Sequence, residues 1–259
     1  MKVVILAGGY GTRLGSLSEL IPKPMIDIGG RPIIWHIMKI YAHYGYKDFV
    51  IALGYKGNLI KDYFYNIKYH NNDFTINTKS GDVTFYNTDA ESDDWNITLV
   101  DTGLDTLKGG RIKRLEKYLD DVNMLTYGDG VSNININQLV DYHKAHGKLV
   151  TISGVRPPSM FGEIIQENGR VVSFEEKPQT SKGIINGGYM VFNKEMLDFL
   201  KPDKDCDFEF GPLEQLATQG EVMTFKHEGF WECADTVRDL NHLNKLWDTG
   251  KAEWKIWND

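Results

Sequence analysis

Short apolar segments alternate with amphipathic helical segments over the first 155 residues of this 259-residue chain. The segments KVVILA (2–7), DFVIAL (48–53) and VNMLTY (122–127) are continuous apolar runs, which are typical of strands buried on both faces. Such strands need helices above and below them, and the helical segments between them can provide both layers. The pattern predicts an α/β fold with a mostly parallel sheet and helices on both faces.

The pattern changes after residue 155, where the segment FGEIIQENGRVVSFEEKP contains Asn168-Gly169, a strong two-residue hairpin signal. Residues 73–87, in the first part of the chain, also alternate around Ser80-Gly81 and predict a hairpin. These hairpins imply an antiparallel portion added to the same core. We find no linker, low-complexity stretch or internal repeat, so we predict one domain over residues 1–259.

Composition excludes several functional classes. The net charge of −7 argues against general nucleic-acid binding, which needs a basic surface. The two cysteines are too few for a disulfide framework and favour a reducing cytoplasm. No apolar run approaches the roughly 20 residues that span a bilayer, and the N-terminus lacks the layout of a signal peptide. We therefore expect a cytoplasmic protein without a membrane partner.

The first strand leads into AGGYGTRL (7–14), a glycine-rich turn of the kind that cradles phosphate. The loop lacks the Gly-Lys-Ser/Thr end of a P-loop, and Leu14 replaces the third glycine of a dinucleotide loop. What remains is a loop rich in backbone amides with one cation, Arg13. Lys23 follows in PKPM, stiffened by prolines on both sides, which suits polyphosphate chemistry. An ordinary glycine turn with solvated Arg13 and Lys23 is the alternative.

The combination of LAGGYGTRL and PKPM resembles the glycine loop of the sugar-1-phosphate nucleotidyltransferases. Within that family, the chain is most similar to the group that makes CDP-glucose from CTP and glucose 1-phosphate. The similarity extends over almost the whole chain, through LVDTG, GGRIKR, TYGDGV, FEEKP, INGGYMVFN, GFWECADTVRD and GKAEWKIW.

The resemblance implies a Rossmann-like three-layer α/β/α nucleotidyltransferase fold. It further implies a sugar-binding elaboration around residues 156–235, an aromatic C-terminal tail, and a homo-oligomer that is often hexameric. The implied reaction joins CTP and a sugar 1-phosphate, requires Mg²⁺ and supplies lipopolysaccharide O-antigen biosynthesis. The sugar phosphate would attack the α-phosphate of CTP in line, so no general base is expected.

Two aspartates are candidate Mg²⁺ ligands. Asp129 follows a strand, where ligands collect in open α/β sheets, although an aspartate before Gly130 is also typical of a turn. Asp235 precedes the last predicted helix and could instead be its N-cap. The resemblance favours the metal role for both, and it implies that Arg13 and Lys23 neutralise the triphosphate.

The resemblance implies two sets of substrate-binding residues. The implied nucleotide-binding residues are Leu6, Ala7, Gly8, Gly9, Tyr10, Gly11, Thr12, Arg13, Lys23, Thr102, Gly103, Thr106, Arg111 and Gly128. The implied sugar-phosphate-binding residues are Glu176, Lys177, Asn186 and Gly187. Judged by spacing alone, Arg111 could be a solvated helix charge, and a solvated charge cluster is the favoured interpretation of Glu176 and Lys177.

Other hypotheses stay open at this point. The reaction could use UTP or dTTP, or another sugar 1-phosphate, because segments such as GSLSELI (15–21) and CADT (233–236) depart from the pattern of the family. The chain could be a non-catalytic relative, or a glycosyltransferase that uses DCD (205–207) to bind a metal. We interpret DCD as a turn, and His143 and His146 as solvated or capping residues.

Overall fold

In a computed structural model of the protein, residues 1–11, 15, 19–86, 93–157, 163–175 and 183–258 are described. The described strands are β1 (Val3–Ala7), β2 (Asp27–Ile28), β3 (Arg31–Pro32), β4 (Asp48–Leu53), β5 (Phe74–Ile76), β6 (Val83–Phe85), β7 (Asn96–Asp101), β8 (Val122–Tyr127), β9 (Gly130–Ser132), β10 (Val150–Val155), β11 (Glu163–Glu167), β12 (Arg170–Glu175), β13 (Ile185–Asn193), β14 (Val222–Lys226) and β15 (Trp231–Cys233).

The described α-helices are α1 (Ile33–His43), α2 (Gly57–Tyr65), α3 (Ile67–Asn71), α4 (Lys108–Arg114), α5 (Ile136–His146), α6 (Glu214–Thr218) and α7 (Val237–Asp248). Short 3-10 turns cover Lys23–Met25, Glu116–Tyr118 and Lys194–Phe199, and a π-turn covers Glu209–Leu213. Within the described part of the chain, no helix is long and apolar enough to cross a membrane.

In the described part of the chain, the main sheet has seven strands in the order β14-β10-β13-β8-β1-β4-β7. β13 runs antiparallel to its neighbours β8 and β10, and the other pairs are parallel. The predicted mixed, mostly parallel sheet is therefore confirmed. The chain builds from β1 outward to β7 and then crosses to the other side of β1 with β8. This reversal creates the crevice in which open α/β sheets bind ligands.

Two apolar layers cover the sheet, as the continuous apolar strands predicted. In β1, Val3 and Ile5 face one layer while Val4 and Leu6 face the other, because successive side chains of a strand point to opposite sides. The larger core contains apolar residues of α1, α2, α5 and α7. The smaller core contains those of α4, α6 and the Lys194–Phe199 turn. The result is the three-layer α/β/α arrangement.

The aromatic C-terminal tail packs against helix α1 rather than remaining on the surface. Trp254 is fully buried, and the Trp257 ring meets that of Trp35 edge-on at 5.7 Å. The indole nitrogen of Trp254 lies 3.4 Å from Nδ1 of His36. The tail is therefore part of the hydrophobic core of the chain.

The hairpin prediction is confirmed at Asn168-Gly169. Both residues have positive φ, +48° and +84°, which is the geometry that a two-residue hairpin turn requires. They join β11 to β12. The second predicted hairpin is also present, as β5 paired with β6.

Two helix boundaries differ from those that helical spacing predicts. The segment KGNLIKDYFYNI (56–67) predicts one helix, but the helix ends at Tyr65, because Asn66 leaves helical geometry and its side chain bonds the Asp62 carbonyl. The segment GPLEQLATQG (211–220) predicts another helix, which becomes regular only at Glu214. Its first turn is interrupted by non-helical φ and ψ at Phe210 and by Gly211 at φ +105°.

Candidate active site

The candidate site lies at the carboxyl edge of the main sheet. β1 and β8 are parallel neighbours, with Leu6 opposite Tyr127, so the glycine loop and the segment Gly128-Asp129 leave the sheet side by side. β13 runs the opposite way and pairs Tyr189 with Thr126, so its first residues start at the same edge. Candidate residues from distant parts of the chain thus share one edge.

Lys23 joins the two candidate metal ligands. Its Nζ donates to Asp129 Oδ2 at 2.8 Å and to Asp235 Oδ1 at 2.5 Å. The two aspartates meet because β15 pairs antiparallel with β9, with Cys233 opposite Gly130. Asp235, which comes after β15, therefore lies beside Asp129, which comes before β9. The Ala234 amide also donates to the Asp129 carbonyl at 2.9 Å.

The Lys23–Met25 turn packs directly on Gly128. A Cβ added at Gly128 would lie 2.8 Å from the Pro24 ring and 3.0 Å from the Leu6 carbonyl oxygen. Glycine is therefore required here, because it lets the proline-flanked lysine lie against the ends of β1 and β8. The structure gives Gly128 this packing role at the edge of the predicted nucleotide site.

The Lys23 cluster is partly buried and electrostatically coupled. The Lys23 side chain is 12% exposed, and those of Asp129 and Asp235 are 31% and 30% exposed. Burial by itself lowers the pKa of Lys23, but the two carboxylates outweigh it and the net pKa is raised. Lys23 therefore stays protonated, which is the state that can bind phosphate.

Asp235 is not the N-cap of the last helix, although its position in the sequence allowed that role. Thr236 is the N-cap of α7, and it forms a capping box with Asp239. The second oxygen of Asp235 accepts from the Cys233 thiol at 3.2 Å. Burial, followed by the charges of Asp129 and Asp235, raises the pKa of Cys233. The neighbouring thiol is thus a neutral donor to the carboxylate.

Arg111 is buried rather than a solvated helix charge, with 4% of its surface exposed. Its two terminal nitrogens donate to four carbonyl oxygens and one hydroxyl, those of Leu53, Gly103, Gly8, Leu104 and Thr102. Burial, followed by the charge of Arg114, lowers the pKa of Arg111 from its usual value. The guanidinium thus ties the glycine loop to the loop after β7, where it shapes the predicted nucleotide site.

The weaker nucleotide-site candidates on the loop after β7 belong to the same network. Thr102 and Thr106 are buried, at 1% and 6% exposure. The Thr102 hydroxyl donates to the Leu53 carbonyl at 2.7 Å, and Thr106 accepts from Arg114 at 2.9 Å. The Gly103 amide donates to the Asp101 side chain at 2.9 Å. The polar groups of these residues are hydrogen-bonded within the protein, so the residues stabilise the loop after β7.

Tyr10 spans from the glycine loop to the loop after β7. Its hydroxyl donates to Asp105 Oδ1 at 2.5 Å, and its ring lies 5.1 Å from that of Tyr55. The hydrogen bond to Asp105 is the main cause of the raised pKa of Tyr10. Sequence reasoning gave no contact for Tyr10 and missed Asp105, because that partner is 95 positions away.

The remaining nucleotide-site candidates include buried residues, exposed residues and residues that the structure does not describe. Leu6, Ala7 and Gly8 are buried at the end of β1, whereas Gly9 is exposed at the edge. Gly11 also belongs to the described loop. Thr12 and Arg13 lie outside the described residues.

The predicted sugar-phosphate residues are partly described. Asn186 and Gly187 lie at the start of β13, where the Trp231 indole donates to the Gly187 carbonyl at 2.7 Å. Glu176 and Lys177 lie outside the described residues. Sequence reasoning missed Tyr127 and Glu209, which are hydrogen-bonded to each other next to Asn186.

The interpretation of DCD as a turn agrees with the structure. Asp207 Oδ1 accepts from the backbone amides of Glu209 and Phe210, at 2.8 and 3.1 Å. An open cavity of about 780 Å³ lies beside this segment, but neither Lys23 nor Asp129 lines it. The interpretation of His143 as a solvated or capping residue is wrong, because its side chain is 2% exposed and bonds the Thr151 hydroxyl at 2.8 Å. His146 also bonds the Thr151 hydroxyl, at 2.7 Å, and its Nδ1 accepts from the Lys148 amide just after helix α5, which agrees with a capping role.

Comparison with known proteins gives the family. The sequence profile of the family described as nucleotidyl transferase matches residues 2–253. The chain belongs to the nucleotidyl transferase family. The predicted enzyme class, a nucleotidyltransferase, is thereby confirmed.

Relatives within the nucleotidyl transferase family match over the full length. The glucose-1-phosphate cytidylyltransferases of Salmonella typhi and Salmonella typhimurium are each 47% identical over 259 residues, which covers 99% of this chain and all of theirs. The crystal structure of HddC from Yersinia pseudotuberculosis is 25% identical and superimposes with a TM-score of 0.67. That match covers 95% of this chain and 99% of HddC. The predicted resemblance to the cytidylyltransferase group is confirmed.

Proposed function

We propose that the protein transfers a cytidylyl group from CTP to α-D-glucose 1-phosphate, forming CDP-glucose and pyrophosphate in a Mg²⁺-dependent reaction. The observation that carries the proposal is the placement of Lys23 between Asp129 and Asp235, beside the glycine loop. A cation and two carboxylates at a phosphate-binding edge suit polyphosphate transfer. The two full-length Salmonella relatives, which are named for this activity, support the choice of substrates.

The donors at the site fit Mg²⁺. Asp129 and Asp235 each place an oxygen on the same ammonium, so both carboxylates already converge on one positive charge. Among the described residues, no group of three or more His, Cys, Asp or Glu could hold a metal. Two carboxylates are sufficient, because Mg²⁺ fills its remaining positions with water and substrate phosphates. When bound, Mg²⁺ would supply charge to offset the negative triphosphate.

The proposed chemistry is a single in-line displacement. A phosphate oxygen of the sugar phosphate forms a bond to the α-phosphorus of CTP. The bond from that phosphorus to the oxygen bridging the α- and β-phosphates breaks, and its electron pair leaves with pyrophosphate. The attacking oxygen is already anionic, so no proton has to be removed.

The contribution of the protein is therefore to hold two anions that repel each other. Lys23 lies between Asp129 and Asp235 at this edge, where its ammonium is in position to bind phosphate. The amides of the glycine loop from Gly8 to Gly11 would hold further phosphate oxygens. Arg13 would add a second cation. Oligomeric assembly and supply of O-antigen biosynthesis stay predictions from the family resemblance, and cytoplasmic location stays a prediction from composition.

The deciding experiment measures pyrophosphate release with CTP, UTP, dTTP and GTP, each paired with the 1-phosphates of glucose, galactose and mannose. We expect the highest kcat/KM with CTP and glucose 1-phosphate. A higher value with UTP or dTTP would make the alternative nucleotide correct. No release with any pair would overturn the proposed function.

A variant tests the metal assignment separately. Asp129→Asn should abolish Mg²⁺-dependent turnover while the thermal unfolding midpoint remains close to that of the wild type. Asp141→Asn, an exposed substitution on helix α5, is the matched control and should keep full activity. Near-normal kcat in Asp129→Asn would show that the metal is held elsewhere.

A further inference from the structure

We propose that Glu209 is a positioning residue for the sugar phosphate, which acts through the Tyr127 hydroxyl to fix the orientation of the Asn186 side-chain amide. The inference rests on the proposed function. It assigns a role to the DCDFEF segment, which the reaction itself does not use.

Three hydrogen bonds form a chain from Glu209 to the start of β13. The Tyr127 hydroxyl donates to Glu209 Oε1 at 2.6 Å. The same hydroxyl accepts from Asn186 Nδ2 at 3.2 Å. Asn186 Oδ1 in turn accepts from the Gly188 amide at 2.8 Å.

The carboxylate sets the direction of every bond in this chain. An ionised carboxylate only accepts, so the Tyr127 hydroxyl has to give its one proton to Glu209. Its lone pairs then face Asn186 and can only accept from the NH₂ group. The amide oxygen is thereby directed to Gly188.

Asn186 is at the place where this orientation matters. The antiparallel register pairs Tyr189 with Thr126, so the residues before Tyr189 lie at the same edge of the sheet where the chain leaves β8 toward Asp129. Gly188 has φ +79°, and a Cβ there would lie 2.7 Å from the Tyr127 ring. The ring is therefore packed on the backbone next to Asn186. A shift of Tyr127 would move the amide that is expected to meet the sugar phosphate.

Glu209 is itself held in place from two sides. Asp207 accepts from the backbone amide of Glu209 at 2.8 Å, which fixes the interrupted turn that carries it. Lys108 forms a salt bridge with the Glu209 carboxylate, and its Nζ lies 5.1 Å from the centroid of the Tyr127 ring. The carboxylate thus has a fixed place beside Tyr127, as a positioning residue requires.

The test compares KM for glucose 1-phosphate with KM for CTP. Glu209→Leu and Tyr127→Phe should each raise KM for the sugar phosphate about tenfold, as expected for one lost oriented hydrogen bond, and leave KM for CTP within about twofold. Glu209→Gln keeps an acceptor oxygen, so its KM values for both substrates should stay within about twofold of those of the wild type.

The double variant Glu209→Leu/Tyr127→Phe should have a KM for the sugar phosphate no higher than that of either single variant, because both substitutions break the same chain of hydrogen bonds.

Glu214→Leu is the matched control, since Glu214 starts helix α6 directly after this turn and its carboxylate accepts from the Gly211 amide rather than from Tyr127. It should leave both KM values unchanged. Three outcomes would each overturn the inference. They are an unchanged KM for the sugar phosphate in Glu209→Leu, an equal rise in the KM values for both substrates, and additive effects on KM in the double variant. Failure of the wild type to turn over CTP with any sugar 1-phosphate would overturn the proposed function and this inference together. If another sugar 1-phosphate is preferred, its KM is the one measured.

Discussion

Acid should destabilise the protein through His36, whose imidazole is fully buried in helix α1. Its Nε2 lies 2.8 Å from the Ile28 carbonyl oxygen, which can only accept, so Nε2 carries the proton. Its Nδ1 lies 3.4 Å from the Trp254 indole nitrogen, which can only donate, so Nδ1 is unprotonated. The structure therefore holds the neutral imidazole. Burial lowers the pKa of His36 from 6.5 to about 4.

The size of the effect follows from the difference between these pKa values. Above pH 6.5 the imidazole is neutral in both the folded and the unfolded chain, and its stabilising contribution is complete. As the pH falls toward 4, the unfolded chain takes up a proton that the folded chain does not, so the free energy of unfolding decreases. The loss over this range is about 3 kcal/mol, at roughly 1.4 kcal/mol per pKa unit.

Urea unfolding followed by tryptophan fluorescence, at several pH values between about 7.5 and 4.5, measures this loss. His36→Gln retains one donor and one acceptor and does not titrate. We expect it to be less stable than the wild type at neutral pH, because the packing changes. Its free energy of unfolding should nevertheless decrease less on acidification, by about 2–3 kcal/mol.

Other titrating groups act equally in both proteins, so the comparison isolates His36. His43→Gln, on the exposed side of the same helix, should keep the pH dependence of the wild type. If His36→Gln loses stability with acid as steeply as the wild type, His36 is not the group that resists protonation, and the reasoning is wrong.

Three further predictions concern the substrate loops. Arg111→Met should lower the free energy of unfolding by about 3 kcal/mol and raise KM for CTP, because it leaves buried carbonyl groups without donors. Urea unfolding measures the first effect and steady-state kinetics the second, and unchanged values would show that Arg111 does not support the nucleotide site. Gly8→Ala should also raise KM for CTP, because its Cβ would lie 2.3 Å from the Arg111 guanidinium and would displace it. If the effects of Gly8→Ala and Arg111→Met on KM add in the double variant, the two substitutions do not act through the same guanidinium. Lys177→Ala should raise KM for glucose 1-phosphate about tenfold with little change in kcat, as expected for a lost charged contact; an unchanged KM would place the sugar site elsewhere.

The sequence predicted best where local chemistry decides the conformation. The apolar runs of β1, β4 and β8 are recognisable because strands buried on both faces need no polar alternation. Asn168-Gly169 specifies a hairpin because both residues tolerate positive φ. The helix boundary at Asn66 was missed because a side-chain bond to the preceding turn competes with continued helix.

The candidate site was predicted unevenly for a similar reason. Lys23 and Asp129 stand out locally, one between prolines and the other after a strand. Arg111 does not, because the letters GGRIKR are equally compatible with a solvated helix. Its burial depends on carbonyl oxygens that come from three other parts of the chain.

The sequence by itself determined the α/β architecture and the resemblance to a nucleotidyltransferase, and it predicted that the first loop binds phosphate. Each of these depends on residues that are close together along the chain. The tertiary structure alone decided that Asp235 lies beside Asp129 rather than capping a helix, because that depends on the pairing of β15 with β9. It also decided that Glu209 and Tyr127 meet at Asn186, since hydrogen bonds between distant residues form only when the sheet brings their strands and loops to one edge.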